Sequence, residues 1–201
     1  MCRTTNFQKY QCQHPFAVNR IGNFYDALIQ LIDLVKPTNM LNIGCGEGFD
    51  LRNIYDRGIT PEYCCGLDLN LEALRMAKKA LADLQFDAAS GDIYNLPIKL
   101  SRFDLILCLE VLEHLAHPER ILKEISKLNN YYCIFSVPNE PFYRLTRMLL
   151  FRQNIRKLGN HPEHRNKWSK SSFSRLIKRH FNIDQILSPF PWTIVLCHQA
   201  G

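Results

Sequence analysis

The sequence predicts an α/β fold built on a mostly parallel sheet of seven strands, with helices on both faces and an antiparallel hairpin at the C-terminal edge. Stretches with helical spacing alternate with short apolar stretches along the chain. One of these, 103–109, is an apolar run of the kind that is typical of a parallel strand buried on both faces, and 131–137 predicts another buried strand. The last two, 183–187 and 193–197, follow each other without a helix between them, which indicates a hairpin.

In the first half of the chain, helices and strands alternate. Apolar residues at helical spacing predict a helix over 24–35, and the short apolar stretch 40–43 predicts the first strand. A helix is expected over 49–56, after a turn rich in glycine, and a second strand over 63–67. The segment 72–84 is rich in Ala, Leu and Lys, which favour a helix.

The second half continues the same alternation. A short strand is expected over 86–89, and a crossover helix over 118–128, where a proline stands in the first turn. The basic segment 142–158 has an apolar side at helical spacing, and a further helix is expected over 171–180. Strands that alternate with helices in this way predict a parallel sheet.

The composition is that of an ordinary globular protein. The 201 residues, 46% apolar and 22% charged, predict one domain and exclude a disordered chain, a collagen and a repeat array. No apolar run approaches the roughly 20 residues that cross a bilayer, and the polar N-terminus does not open a signal peptide. The eight cysteines are scattered and form no C-x-x-C pair, as expected for reduced thiols. We therefore expect a cytoplasmic protein without a transmembrane segment.

The charges are unevenly distributed along the chain. Residues 144–179 hold eleven Lys and Arg residues against the single acid Glu163, a net charge of +10, while the rest of the chain carries −4. Such an asymmetry indicates an anionic partner for this segment, such as RNA or an anionic membrane surface. A basic helix face exposed to solvent is the alternative interpretation.

Glycine and acidic residues follow three successive predicted strands. The first strand runs into the glycine turn, residues 44–48, which reads Gly-Cys-Gly-Glu-Gly; the second ends at Asp68, and the third is followed by Asp92. Parallel strands end at one edge of their sheet, and open α/β sheets bind ligands at that edge. Glycines let the backbone approach a ligand, and a carboxylate after the second strand can accept both ribose hydroxyls of a nucleoside.

Together with Gly66-Leu67-Asp68, Gly91-Asp92 and residues 103–115, the glycine turn resembles the motifs of class I S-adenosylmethionine-dependent methyltransferases of the methyltransferase type 11 kind. The resemblance runs in order and spacing over roughly residues 28–195. It implies a Rossmann-like sheet and S-adenosylmethionine as the cofactor. One position departs from it: Asn42 stands where many members carry Asp or Glu, and it brings no negative charge to a cationic cofactor.

The resemblance also implies roles for individual residues. Gly44, Cys45 and Gly46 would pass under the methionine part of the cofactor. Asp68 would hold the ribose, and Asp92 with Ile93 would flank the adenine. The full set that it implies for cofactor binding is Gly44, Cys45, Gly46, Asp68, Leu69, Asp92, Ile93 and Glu110.

Two carboxylates and an imidazole follow the fourth predicted strand. Glu110, Glu113 and His114 stand at i, i+3 and i+4, so a helix beginning there would bring all three onto one face. Such a group could bind a hard metal ion or act as a general base for the proton that an acceptor loses. Glu113 and His114 are the predicted catalytic residues. A purely structural role, with Glu near a helix N-terminus, is the alternative.

A second polar cluster, residues 160–169, extends the resemblance. Metal-assisted small-RNA 2'-O-methyltransferases are similar in combining E-V-x-E-H, S-x-P-N at residues 136–139 and an H-x-x-x-W-[ST] stretch. Ubiquinone-pathway O-methyltransferases share the E-x-x-E-H part. The resemblance implies a divalent cation such as Mg²⁺ as a second cofactor, and a metal-free base remains open. Its implied ligands are Glu110, Glu113, His114 and His164.

We therefore predict a methyltransferase that O-methylates a hydroxyl of a small or lipid-linked acceptor. An RNA ribose ranks second, because residues 14–20 match the N-terminal element of the RNA family poorly. A nicotinamide-dependent oxidoreductase is disfavoured by the G-x-G-x-G spacing, and a cofactor-binding protein without catalysis is a further alternative.

Within one domain, 1–201, we expect three parts. Residues 1–23 form an N-terminal arm or lid, residues 24–138 a cofactor-binding half, and residues 139–201 a basic acceptor-side half.

Overall fold

The computed structural model describes residues 15–127, 131–140 and 165–199. Seven strands form one sheet in the order β3-β2-β1-β4-β5-β7-β6. They are β1 Asn39–Ile43, β2 Tyr63–Asp68, β3 Phe86–Ser90, β4 Leu105–Leu109, β5 Tyr132–Pro138, β6 Phe181–Leu187 and β7 Trp192–Gln199. The described helices are α1 Pro15–Val35, α2 Phe49–Asp56, α3 Leu71–Ala80, α4 Pro118–Ile125 and α5 Lys170–Ile177. The predicted fold class is confirmed.

The chain divides by its internal packing into two compact units, Met1–Leu107 and Cys108–Gly201. In the first unit, β1 pairs with β2 and β2 with β3, both in parallel. Four of the five residues of β1 are buried, as expected for a strand covered on both faces. Helix α3 begins at the N-cap Asn70, whose side-chain oxygen accepts hydrogen bonds from the backbone N–H groups of Glu72 and Ala73.

Asp104 fixes the start of β1 within the first unit. Its two carboxylate oxygens accept hydrogen bonds from the backbone N–H groups of Thr38 and Asn39 at 2.9 and 3.0 Å. The backbone N–H of Asp104 donates in turn to the carbonyl of Asn39 at 3.0 Å. The strand that ends in the glycine turn is thus held in register at its other end.

In the second unit, β7 pairs antiparallel with both β5 and β6, which is the predicted C-terminal hairpin extended onto β5. The β6–β7 register shifts between Ile183 and Gln185, so Asp184 is the extra residue of a β-bulge. Its carboxylate lies 2.8 Å from Nδ1 of His198 on β7. Helix α5 begins with a capping box formed by Ser169 and Ser172.

Several predicted boundaries differ from the structure. Helix α1 begins at Pro15, nine residues before the predicted start, so part of the predicted arm is helical. Helix α3 ends at Ala80 and not at residue 84, and β4 begins at Leu105, after a bend at Asp104. The predicted helix over 142–158 lies outside the described residues. Among the described helices, none has the length and apolar character needed to span a bilayer.

Candidate functional site

The glycine turn is built from three glycines in the left-handed region. Their φ values are 76° at Gly44, 52° at Gly46 and 81° at Gly48. An L side chain is strained at each of these positions. At Gly48, the N-cap of α2, an added Cβ would also lie 3.0 Å from Leu81 and 3.1 Å from Ala77. The turn therefore requires the glycines for backbone conformation, and at Gly48 for close helix packing as well.

Hydrogen bonds tie the glycine turn to the end of β2. The backbone N–H groups of Gly44 and Cys45 donate to the carbonyl of Leu67 at 2.7 and 3.1 Å. The N–H of Gly46 donates to Oδ2 of Asp68 at 2.8 Å, and the other oxygen, Oδ1, accepts from the N–H of Asn70 at 2.8 Å. Since each carboxylate oxygen has about two acceptor sites, Asp68 keeps capacity for ligand hydroxyls while it holds the turn.

The side chain of Cys45 packs over Gly66 on β2. A Cβ added at Gly66 would lie 2.6 Å from Cys45 Sγ and 2.9 Å from the ring of Phe86. Burial raises the pKa of the Cys45 thiol far above its usual value, and the Asp68 charge raises it further. Cys45 is therefore an uncharged packing residue whose place depends on the missing side chain at Gly66.

The other predicted cofactor residues of this unit lie at the ends of β2 and β3. Leu69, directly after Asp68, is 73% exposed. Asp92 is exposed and accepts a hydrogen bond from the N–H of Tyr94 at 2.9 Å, while Ile93 is half-buried. The N–H of Gly91 donates to the carbonyl of Asp68 at 3.2 Å. The structure thus joins the Asp92 turn to the end of β2.

Asn42 is buried at the second-last position of β1. Only 1% of it is exposed, and within the described part of the chain its side-chain oxygen and nitrogen make no hydrogen bond. It pairs with Gly66 across the β1–β2 ladder. A buried amide without a partner is costly, so this side chain has hydrogen-bonding capacity that the rest of the described protein leaves unused.

Glu47 places a second buried polar group in the glycine turn. Its side chain is 3% exposed. Burial raises the pKa of the Glu47 carboxyl above its usual value, and the charges of Asp68 and Asp50 raise it further. The folded protein therefore disfavours the ionised form of Glu47.

We expect Glu47→Gln to stabilise the protein at neutral pH. A carboxyl whose pKa is raised in the folded state binds its proton more tightly there than in the unfolded state. The contribution of Glu47 to the free energy of unfolding therefore falls as pH rises above about 4.5. Urea unfolding between pH 4 and 7.5 should show the advantage of Glu47→Gln growing with pH. The control is Glu72→Gln, which removes one negative charge from an exposed position and should show no such dependence on pH. An advantage of Glu47→Gln that shrinks as pH rises would contradict the expectation.

In the second unit, the expectation that a helix after β4 carries Glu110, Glu113 and His114 is wrong. Glu110 adopts a left-handed bend with φ 54°, and its N–H donates to the carbonyl and Oγ of Ser136 at 3.1 and 3.2 Å. A single 3-10 turn, Leu112–His114, follows. The 3-10 turn ends at Leu115, whose backbone is extended with φ −75° and ψ 141°, so it does not continue into an α-helix. Glu110 therefore precedes the turn that carries Glu113 and His114.

Glu113 is a buried carboxylate on this turn. It is 2% exposed, whereas His114 beside it is half-buried. Burial and, to a smaller extent, the charge of Glu113 raise the pKa of the Cys108 thiol on β4. A negative charge so deep in the protein is costly, and such groups are frequent at functional sites.

Asn166 contacts the same turn, although the sequence assigned it no role of its own. The backbone N–H groups of Arg165 and Asn166 donate to the carbonyl of Glu113 at 2.8 and 3.0 Å. The side-chain Nδ2 of Asn166 donates to the carbonyls of Leu115 and Leu112 at 2.7 and 3.3 Å. In the sequence, Asn166 is one residue of the polar cluster 160–169 and has no individual predicted role.

The predicted metal ligands are only partly described. His164 lies outside the described residues. Across residues 15–127, 131–140 and 165–199, no three His, Cys, Asp or Glu side chains form a group that could hold a metal ion. The described residues Glu110, Glu113 and His114 therefore do not make a metal site by themselves.

Comparison with known proteins agrees with this architecture. Residues 41–130 match the model of the methyltransferase domain family. Norajmaline N-methyltransferase from Rauvolfia serpentina is 34% identical over 117 residues, which cover 54% of this chain and 36% of the relative. The ubiquinone biosynthesis O-methyltransferase of Coxiella burnetii is 29% identical over 96 residues, which cover 47% of this chain and 40% of the relative. The chain thus spans less than half the length of these curated relatives.

Solved structures show the same fold at low sequence identity. The methyltransferase domain of bacterial CtHen1 superposes with a TM-score of 0.70 at 17% identity, over 90% of this chain and 100% of that domain. An S-adenosylmethionine-dependent methyltransferase from Clostridium acetobutylicum superposes with a TM-score of 0.65 at 16% identity, over 90% and 92% of the two chains. With the strand order, these superpositions show the fold that these methyltransferases share, and residues 41–130 of the chain match the methyltransferase domain family.

Proposed function

We propose that the protein is an active methyltransferase that binds S-adenosylmethionine along the ends of β1, β2 and β3. The observation that carries the proposal is the glycine turn, held open by positive φ angles and fastened to Asp68 by the N–H of Gly46. Asp68 would accept the ribose hydroxyls with its remaining lone pairs, and Leu69, Asp92 and Ile93 would surround the adenine. The amide of Asn42, buried on β1 just before the turn, adds an uncharged group with hydrogen-bonding capacity that the described residues leave unused.

When bound, S-adenosylmethionine supplies a methyl group that its sulfonium already activates. The protein has to orient an acceptor in line with that methyl group and to take the proton that the acceptor loses. We propose that Glu113 and His114 do the latter, with His114 accepting the proton and the buried Glu113 favouring the imidazolium that results. A cofactor-binding role for Glu110, which lies in the left-handed bend before this turn, stays a prediction.

We further propose that the acceptor atom is a hydroxyl oxygen of a small or lipid-linked molecule. The support is the buried carboxyl of Glu113, which is followed in the chain by the imidazole of His114. A hydroxyl with a pKa of about 10 or higher becomes a much better nucleophile when a base takes its proton, whereas a neutral amine attacks through its own lone pair. An RNA acceptor is the second candidate, favoured by the exposed cations Arg165, Lys167 and Lys170 on the chain next to Glu113. A divalent cation held with the help of His164 and a cytoplasmic location remain predictions.

The test is transfer of a labelled methyl group to separated lipid, small-molecule and RNA fractions of a cell extract, with EDTA or with Mg²⁺. We expect transfer to the small-molecule or lipid fraction. Glu113→Gln should reduce it about 10²- to 10⁴-fold, the usual contribution of a general base system. Cofactor binding, measured by calorimetry, should be retained in Glu113→Gln.

The matched control is Glu124→Gln on α4, which removes an exposed carboxylate from the same unit. It should transfer at the wild-type rate. Binding without transfer to any fraction would show a cofactor-binding protein without catalysis, and binding of NADH in place of S-adenosylmethionine would show an oxidoreductase. Transfer to RNA alone would replace the proposed acceptor by the second candidate.

A further inference from the structure

One short segment of the second unit, residues 165–169, is bound at its first two residues to the turn that carries Glu113 and His114. At its start, the backbone N–H groups of Arg165 and Asn166 both donate to the carbonyl of Glu113. The side chain of Asn166 then reaches the carbonyls on either side of the Glu113–His114 pair, those of Leu112 and Leu115. The two adjacent residues Arg165 and Asn166 thus donate hydrogen bonds to three carbonyls in and directly after this turn.

The other end of this segment is fixed to the end of β5. Trp168 forms an isolated parallel bridge with Asn139, and its carbonyl accepts a hydrogen bond from the N–H of Glu140 at 2.9 Å. The side chain of Asn139 accepts from the N–H of Lys170 at 3.1 Å, where α5 begins. The ring of Trp168 packs against Phe173 with centroids 5.7 Å apart. The segment is therefore a rigid support for the turn.

The position occupied by Asn166 demands a particular side chain. Two carbonyl oxygens converge on one atom, at 2.7 and 3.3 Å, and a primary amide nitrogen carries two hydrogens for two such acceptors. A serine offers one hydrogen, an ionised aspartate none, and a leucine of similar size none. The site is half-buried, so carbonyls left without these donors would lose much of their hydrogen bonding.

We propose that Asn166 is a positioning residue for methyl transfer: it holds the 3-10 turn in one conformation and so fixes where the side chains of Glu113 and His114 lie. The inference rests on the proposed function of those two residues. A short 3-10 turn has weak internal hydrogen bonds, here 3.0 Å from His114 N–H to Val111 and 3.3 Å from Leu115 N–H to Leu112. External donors therefore decide how well its side chains are oriented.

The test compares Asn166→Asp, which keeps the shape and removes both donors, with Asn182→Asp on β6. Asn182 also donates its side-chain amide to a backbone carbonyl, that of Gln199, but on the exposed hairpin. We expect kcat to fall about 10- to 100-fold in Asn166→Asp, as for catalytic groups displaced by an ångström or less. The Kd for S-adenosylmethionine should change less than about twofold in Asn166→Asp. The Asn182→Asp variant should have the kcat and the Kd of the wild-type protein.

Hydrogen exchange provides a readout that does not depend on activity. The amide protons of Arg165 and Asn166, which bond to Glu113, should exchange at least about tenfold faster in Asn166→Ala, a second variant without the repulsion that an aspartate adds. Faster exchange with unchanged kcat in both variants would overturn the positioning role. An inactive wild-type protein would instead overturn the proposed function, on which the role depends.

Discussion

Replacement of Gly66 by alanine is expected to destabilise the protein by about 1–3 kcal/mol and to displace the glycine turn. The new Cβ would lie 2.6 Å from Sγ of Cys45 and 2.9 Å from two atoms of the Phe86 ring, distances that real Cβ atoms essentially never show. Both neighbours are held by the sheet or by the turn, so the backbone has to move. Urea unfolding measures the loss of stability, and calorimetry with S-adenosylmethionine measures the effect on the turn.

Two further variants identify the cause. Cys45→Ala removes the sulfur that the new methyl group meets, so the double variant Gly66→Ala/Cys45→Ala should recover part of the stability lost by Gly66→Ala. Gly22 of α1 is the matched control, because an added Cβ there has nothing within 4 Å. Gly22→Ala should be neutral or stabilising by up to about 1 kcal/mol, as expected in a helix interior. A Gly66→Ala protein as stable as wild type would refute the packing argument.

The second large effect is expected at Asp68. Asp68→Ala removes the acceptor for the N–H of Gly46 and for the N–H of Asn70, both at 2.8 Å. Hydrogen bonds to a charged group are worth about 1.5–3 kcal/mol each, and the proposed ribose contacts disappear with the same side chain. We expect the Kd for S-adenosylmethionine to rise at least about 100-fold, equivalent to about 2.7 kcal/mol, by isothermal titration.

The controls for this prediction come from the same unit. Asp68→Asn keeps one acceptor oxygen and loses the charge, so its Kd should fall between those of wild type and Asp68→Ala. Asp83→Ala removes an exposed carboxylate that pairs with Arg52 at 2.9 Å and should leave the Kd unchanged. If Asp68→Ala bound the cofactor as tightly as wild type, the proposed ribose contact would have to be abandoned.

The sequence was most informative where a local pattern has one physical meaning. Short apolar stretches between the helical patterns predicted all seven strands, and β4, a continuous apolar run, is buried over its whole length. The spacing of the glycine turn and Asp68 predicted that they meet, because successive parallel strands end at one edge. Asp104 lies in the predicted strand 103–109 and in the motif 103–115, and its hydrogen bonds with Thr38 and Asn39 show its physical role.

The part of the site that follows β4 was decided by tertiary structure. The i, i+3, i+4 spacing of Glu110, Glu113 and His114 is helical, but the hydrogen bonds from the N–H of Glu110 to Ser136 fix a left-handed bend that no local rule contains. Asn166 contacts a turn more than fifty residues earlier in the chain. The pattern of apolar and polar residues along the sequence therefore determined the sheet and the glycine turn. The hydrogen bonds of that turn to the end of β2 follow from the order of the strands. Only long-range hydrogen bonds, which depend on how distant segments pack, determined the conformation of the turn that carries Glu113.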